Sequence, residues 1–244
     1  MKETAAAIVV VFVLILTAAP DRPAAGETGD FNAAVADAYG HYRQAVFFLR
    51  TKNPGVAALE ISMMADKWNA LADRHAGSPP DAYDADAEFQ GTMRAVAEQL
   101  AKAASAAEAM EAETAAEAMK PVRTMIAGLR RRSGIVTFSD CVDAINASMD
   151  RLWPYRHNPP DFENPVAVDA LRQELGISLY LYKKCYAEAP QAYRDDEEFQ
   201  RLFENGIDSF TRIWEPVRDK NAVGVINFLR ELRSLDKMIF LRFG

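Results

Sequence analysis

Apolar residues recur along most of the chain at spacings of three and four, the pattern of helices that each bury one face. From Phe31 to Thr51 the stripe runs through Tyr39, Tyr42, Val46 and Leu49. Asn53-Pro54 marks the next start, because Asn accepts from free N–H groups and Pro fits the first turn of a helix. The second helix runs to about His75, with Val56, Leu59, Met63 and Leu71 expected inward. Gly77-Ser78-Pro79-Pro80 breaks the chain. A third helix is expected to begin within Asp84-Ala85-Asp86-Ala87-Glu88, where carboxylates suit the positive end of the helix dipole, and to bury Phe89, Met93, Val96 and Leu100. A turn near Ala109 to Glu113 leads into a fourth helix. That helix ends on the cations Arg130-Arg131-Arg132, before Ser133-Gly134.

The same plan returns 110 residues later. Pro80 to Gln90 and Pro190 to Gln200 are identical at seven of eleven positions, Tyr83, Glu88 and Phe89 matching Tyr193, Glu198 and Phe199. Without gaps, this offset also pairs Ala112 with Ala222, Arg123 with Arg233 and Arg132 with Arg242. It sets Phe31, Val35, Tyr39 and Tyr42 against Cys141, Ile145, Met149 and Leu152, one helical face in each case. Helices are expected at about 138–155, 165–187, 195–218 and 222–243. Gly176, Gly206 and Gly224 fall inside them and are read as points of close helix approach. Short connections between long amphipathic helices favour antiparallel neighbours. The predicted fold is therefore all-α: two tandem antiparallel four-helix bundles, residues 27–133 and 134–244.

The first 26 residues read as a secretory signal peptide. Lys2 supplies the positive start, Ala5 to Leu16 is apolar, and Ala24-Ala25-Gly26 offers a small-residue cleavage site. The apolar run is shorter than the roughly 20 residues a membrane span needs; the alternative is an uncleaved N-terminal anchor. No later stretch could span a bilayer, so the mature chain is expected to be periplasmic if the source is a Gram-negative bacterium. The formal charge of −7 argues against a nucleic-acid partner, which requires a basic footprint.

Exported helical units whose last helix follows a segment such as Trp214-Glu215-Pro216-Val217-Arg218-Asp219-Lys220-Asn221-Ala222, and ends in aromatics and Arg, resemble the cytochrome c′ family. That resemblance implies four-helix bundles with a Cys-x-x-Cys-His haem attachment on the last helix. Here the corresponding stretch is Ser234-Leu235-Asp236-Lys237-Met238-Ile239-Phe240-Leu241-Arg242-Phe243, without the two cysteines or the histidine. Covalent haem, and any activity that needs it, does not carry over.

No phosphate loop, nucleophile elbow or catalytic Cys/His pair is present. The three histidines, His41, His75 and His157, form no metal-ligand spacing, and Met63 and Met64 read as packing residues. No catalytic residue, cofactor or metal site is therefore assigned. The candidates for contact with an unknown protein or small ligand are Arg50, in the basic turn Leu49 to Pro54, and the repeated Tyr83, Glu88, Tyr193 and Glu198. Their competing role is structural, with aromatics anchoring a loop-to-helix junction and acids capping it. Cys141 and Cys185 are the only cysteines. Cys141 lies about 17 residues before the Pro-rich loop and Cys185 about 20 after Pro165, so at 1.5 Å per residue both reach nearly the same level of two antiparallel helices. A disulfide is expected in an oxidising compartment, with two buried thiols as the alternative. The functional expectation is an exported, haem-free binding or structural module. The alternative is a periplasmic redox or metal carrier using non-covalent haem or copper.

Overall fold

A computed structural model describes residues 26–244; the segment read as a signal peptide lies outside the described residues, apart from Gly26. The described chain is all-helical, and none of its helices is long and apolar enough to cross a membrane. In order, α1 spans Glu27–Arg50, α2 Pro54–Arg74, α3 Phe89–Glu108, α4 Ala112–Arg132, α5 Phe138–Leu152 and α6 Pro165–Glu188. Then follow the single turn α7, Gln191–Arg194, and α8 Glu197–Arg212, α9 Trp214–Arg218 and α10 Ala222–Phe243.

Two apolar clusters form. The first is drawn from α1 to α4, from Phe31 to Leu129. The second is drawn from α5 to α10, from Val142 to Phe243. In the first, α1 lies along α2, α2 along α3 and α3 along α4. In the second, α5 lies along α6 and α10, and α8 along α6 and α10. Each fully buried aromatic, such as Trp68, Phe199 or Phe210, contributes roughly 2–3 kcal/mol by leaving water. The Trp68 indole also donates to the Met93 carbonyl at 2.9 Å, so no polar group is stranded there.

Several expected boundaries shift for local reasons. The inward face of α2 is Ala57, Ile61, Met64, Trp68 and Leu71, while Leu59 is 61% exposed and Met63 and Val56 are exposed as well. The buried set keeps the helical period through the large residues Ile61 and Trp68. The acidic stretch before Phe89 does not open α3. Asp81–Tyr83 forms a 3-10 turn, and Asp86 accepts from the Glu88 N–H and from Arg132. The long helix expected at 195–218 is broken. Pro216 lacks an N–H, and its ring crowds the carbonyl four residues earlier; α8 stops at that residue, Arg212. Pro154 acts likewise on α5, which gives way to a 3-10 turn at Trp153–Arg156.

Positions 110 apart, matched in the sequence, hold different residues in the structure. Cys141 and Cys185 are joined by a disulfide with Cα atoms 5.8 Å apart. At the corresponding positions, the rings of Phe31 and His75 meet edge to face at 5.2 Å. Closing a loop of 44 residues restricts the unfolded chain by about 4 kcal/mol in the chain-entropy picture. Arg132 pairs with Glu88 at 3.4 Å, and Arg242 with Glu198 at 2.7 Å. Trp68 and Ala38 correspond to Ser178 and Ser148, which hydrogen-bond at 3.0 Å.

Of the three glycines expected at close approaches, Gly176 has open space around it, so the expected close approach does not occur there. Gly224 sits against Pro216, and Gly206 is covered by the Tyr182 ring. A Cβ on Gly206 would lie 2.8 Å from Tyr182 Cδ1 and closer still to Cε1, and Tyr182 is fully buried. The first half has Val96 and Ala72 at these two positions, with the bulk on the opposite partner. Gly206→Ala should lower the unfolding free energy by roughly 1–3 kcal/mol, despite alanine's helix preference of about 1 kcal/mol. The double variant Gly206→Val, Tyr182→Ala should recover part of the loss. Urea unfolding measures both, and a G206A protein more stable than wild type would contradict the packing described.

Candidate functional site

The two apolar clusters meet along α1 and α4 on one side and α5 and α10 on the other. Phe240 is the side chain that packs against both. The rest of the contact is largely polar. From α4, Arg123 donates through Nε to Asp143 at 2.7 Å and through Nη2 to Asn146 at 2.7 Å; its guanidinium also lies 4.7 Å from the Phe240 ring centre. Seven residues on, two helical turns along the same face, Arg130 donates to Asp140 at 2.9 Å. The sequence reads Arg130 only as one of the cations that end α4; in the structure it is buried and spans the joint.

Asp140 is held by the start of α5. Thr137 and Asp140 form a reciprocal capping box, which satisfies N–H groups that a helix start leaves free. Burial alone would raise the Asp140 carboxyl. The hydrogen bonds from Arg130 and Thr137 outweigh it and hold the group below the usual carboxylate range.

Between the halves lies a cavity of about 230 Å³, lined by Tyr39 and Arg43 from α1, Arg130 from α4, Phe138 and Ser139 from α5, and Tyr193 and Phe243 beyond. Tyr39 and Arg43 share a face because they are four residues apart. Four of these side chains carry a buried polar atom with no partner among the described residues: Tyr39 Oη, Arg43 Nε, Arg130 Nε and Ser139 Oγ. Buried polar groups are normally satisfied, so four unsatisfied ones on residues of one wall are a local exception; each of the four atoms is sealed from water. Arg43 donates through Nη1 to the Gly244 oxygen. Burial pushes its guanidinium down, against the pull of the Tyr193 and Tyr39 hydroxyls. Burial also raises the Tyr39 hydroxyl well above its ordinary value, so it stays protonated and able to donate.

A smaller cavity of about 140 Å³ adjoins the joint, lined by Arg50, Arg123, Asn146, Arg233, Asp236 and Lys237 among others. Arg233 pairs with Asp150 at 2.8 Å and Asp236 at 3.2 Å, and Asp236 also accepts from Asn146. Asp236 is buried at a position where the first half has the buried apolar Ile126. Burial pushes its carboxyl up to about 6, against the hydrogen bond from Asn146 and the charge of Arg233.

The sequence-derived candidates separate. Tyr193 lines the larger cavity. Tyr83 stands behind it, donating to Asn32 Oδ1 at 2.6 Å while Asn32 lines the cavity wall. Arg50 borders the smaller cavity and a broad open basin of about 750 Å³ beside Lys52 and Met110. Glu88 and Glu198 are taken up by Arg132 and Arg242. Among the described residues, no group of three His, Cys, Asp or Glu side chains could hold a metal ion. Tyr39, Arg43, Arg130 and Ser139 were not singled out from the sequence. Tyr39 reads there as a core aromatic, and only the docking of the halves gathers the four.

Comparison of the chain with protein-family models, with curated proteins and with solved structures finds no match. The cytochrome c′ resemblance therefore rests on the terminal-helix residues quoted above alone.

Asp236 makes stability depend on pH in a defined direction. Its carboxyl binds a proton more tightly in the folded chain than in the unfolded one. Its contribution is therefore fully present below about pH 4 and is lost as pH rises through about 6. A rise from the ordinary value of 3.8 to about 6 corresponds to about 3 kcal/mol. Asp236→Asn should remove this slope, so that the variant gains on wild type as pH rises from about 4 to 7. Urea unfolding of both proteins across that range measures the difference, and parallel stability curves would contradict it.

Proposed function

We propose that the chain is an exported tandem of two antiparallel four-helix bundles, copies of one unit, that acts as a binding module for a small ligand held between them. The observation that carries this reading is the 230 Å³ cavity at the joint, walled by side chains of both halves, four of which also carry a buried, unpartnered polar atom. Leaving a buried donor unsatisfied costs about 1–3 kcal/mol. The cavity's remaining lining combines the polar Asn32 and Thr137 with apolar and aromatic side chains such as Val35, Phe138 and Phe243, the mixture common in ligand sites.

Export to the periplasm is supported by the apolar run Ala5 to Leu16 and by the Cys141–Cys185 bond, since disulfides persist in oxidising compartments. The duplication is supported by the ion pairs that recur at the same offset and by α4 and α10 starting 110 residues apart. The likeness to cytochrome c′ is one of architecture, without haem attachment.

The test is a two-dimensional amide NMR titration against a panel of small organic anions, organic cations, sugars and neutral aromatics. At least one class should shift resonances clustered at residues 35–43, 137–139 and 193. If no class moves those residues while the protein stays folded, the binding-module reading fails.

A further inference from the structure

We infer that the open groove between α1 and α10 binds a single-chain organic anion of the fatty-acid kind, with its charged head at Arg50 and Lys237 and its hydrocarbon along Phe47, Met238 and Leu241. This groove is separate from the 230 Å³ cavity, with only Arg43 lining both, and it does not rest on the binding-module reading.

Helical spacing makes the groove. Arg43, Phe47 and Arg50 stand four and three residues apart on α1, and Ser234, Met238 and Leu241 four and three apart on α10, so each set shares one helix face. The two helices pack together and run antiparallel. Arg43 donates to the Gly244 oxygen at one end, and seven residues along each helix the charge of Arg50 bears on Lys237. The stretch from Arg43 to Arg50 is about 10 Å long. The space enclosed is about 310 Å³, within the range of about 300–1,000 Å³ for small-molecule sites.

The sign of the charge is set by side chains that solvent reaches. Arg50 and Lys237 are both exposed. With Arg43 they line the groove, and among the described residues no carboxylate does, in a chain of formal charge −7. Arg43 is already engaged by the Gly244 oxygen, which leaves Arg50 and Lys237 open to a ligand. Partial burial and then the charges of Arg50 and Arg233 push the Lys237 ammonium below its ordinary value; Arg156 adds to them and only Asp236 opposes. Asp236 is itself buried and engaged by Arg233 and Asn146. This end of the groove therefore carries unmatched positive charge, and an anion supplies the countercharge.

The middle of the groove selects for a hydrocarbon. Phe47 is 40% exposed, and Met238, Phe240 and Leu241 are half-buried beside it. A hydrocarbon laid there leaves water, a gain that a bare inorganic anion cannot make, and the flexible Met238 can adapt to it. A free amphiphile suits the groove better than a bilayer surface does, because the net charge of −7 repels anionic lipid.

The experiment is isothermal titration of the full chain with decanoate, kept below the concentration at which it self-associates, and with decanol, decyltrimethylammonium and acetate. Decanoate should bind with a Kd on the order of 0.1 mM and move amide resonances at residues 46–51 and 234–241. The other three should bind at least about tenfold more weakly. Arg50→Gln and Lys237→Gln should each weaken decanoate binding about fivefold. Their melting temperatures should hold or rise, because a contact between like charges is removed. Absence of decanoate binding, or decanol binding as tight as decanoate, would overturn the inference, as would unchanged decanoate affinity in both R50Q and K237Q. Binding to phosphatidylglycerol vesicles without uptake of free decanoate would overturn it too. So would a dimer, seen by light scattering, that Phe47→Asp dissolves, since a second copy would then fill the groove. Decanoate shifts confined to residues 137–139 and 193 would remove the groove assignment while the binding-module reading stands.

Discussion

The structure depends on one constraint: two apolar cores that meet across a largely polar joint. Arg123 with Asp143 and Asn146, and Arg130 with Asp140, hold that joint. Phe240 is the apolar side chain shared by both cores. Ion pairs in such a half-buried setting contribute more than surface pairs, yet desolvation cancels much of the gain. Their larger effect is on geometry, because a guanidinium that must reach a specific carboxylate fixes how α4 lies on α5. The cavity follows from that alignment. Tyr39 and Arg43 come from one half and Phe138, Ser139 and Tyr193 from the other, so neither half builds the site alone.

Within the halves, positions 110 residues apart are packed by different residues. The contact of α1 with α2 at Phe31 and His75 becomes a covalent bond between α5 and α6 at Cys141 and Cys185. Val96 and Ala72 exchange bulk with Gly206 and Tyr182. In the second of these pairs bulk lost on one helix is gained on its neighbour, as well-packed interiors require. Ile126 and Asp236 differ in another way. A buried apolar position becomes a carboxylate beside Asn146 and Arg233, at the edge of the joint. A local rule is broken where the two halves meet, the kind of place where such breaks carry meaning.

Much of the fold was legible in the sequence because helical periodicity and capping are local. The starts of α2, α6 and α10, the buried stripe of α3 and the pairing of Cys141 with Cys185 all follow from spacing and from Asn and Pro signals. The inward face of α2 was not legible, because Val56, Leu59 and Met63 are as apolar as the residues that are buried. The break before Pro216 and the late start of α3 depend on main-chain crowding and on the capture of Asp86 by Arg132. The site was the least legible part. Arg130 looks like a dipole cation and Tyr39 like core, and no local pattern says that docking will strand a polar atom of each in the same wall.

The most direct measurement of the two-core arrangement is native-state hydrogen exchange with the Cys141–Cys185 bond intact and then reduced. The bond constrains only the second half, so reduction should lower amide protection across α5, α6, α8 and α10 while α1 to α4 keep theirs. A fall of equal size in α1 to α4 would mean that the chain opens as one unit and that the polar joint does not separate two cores.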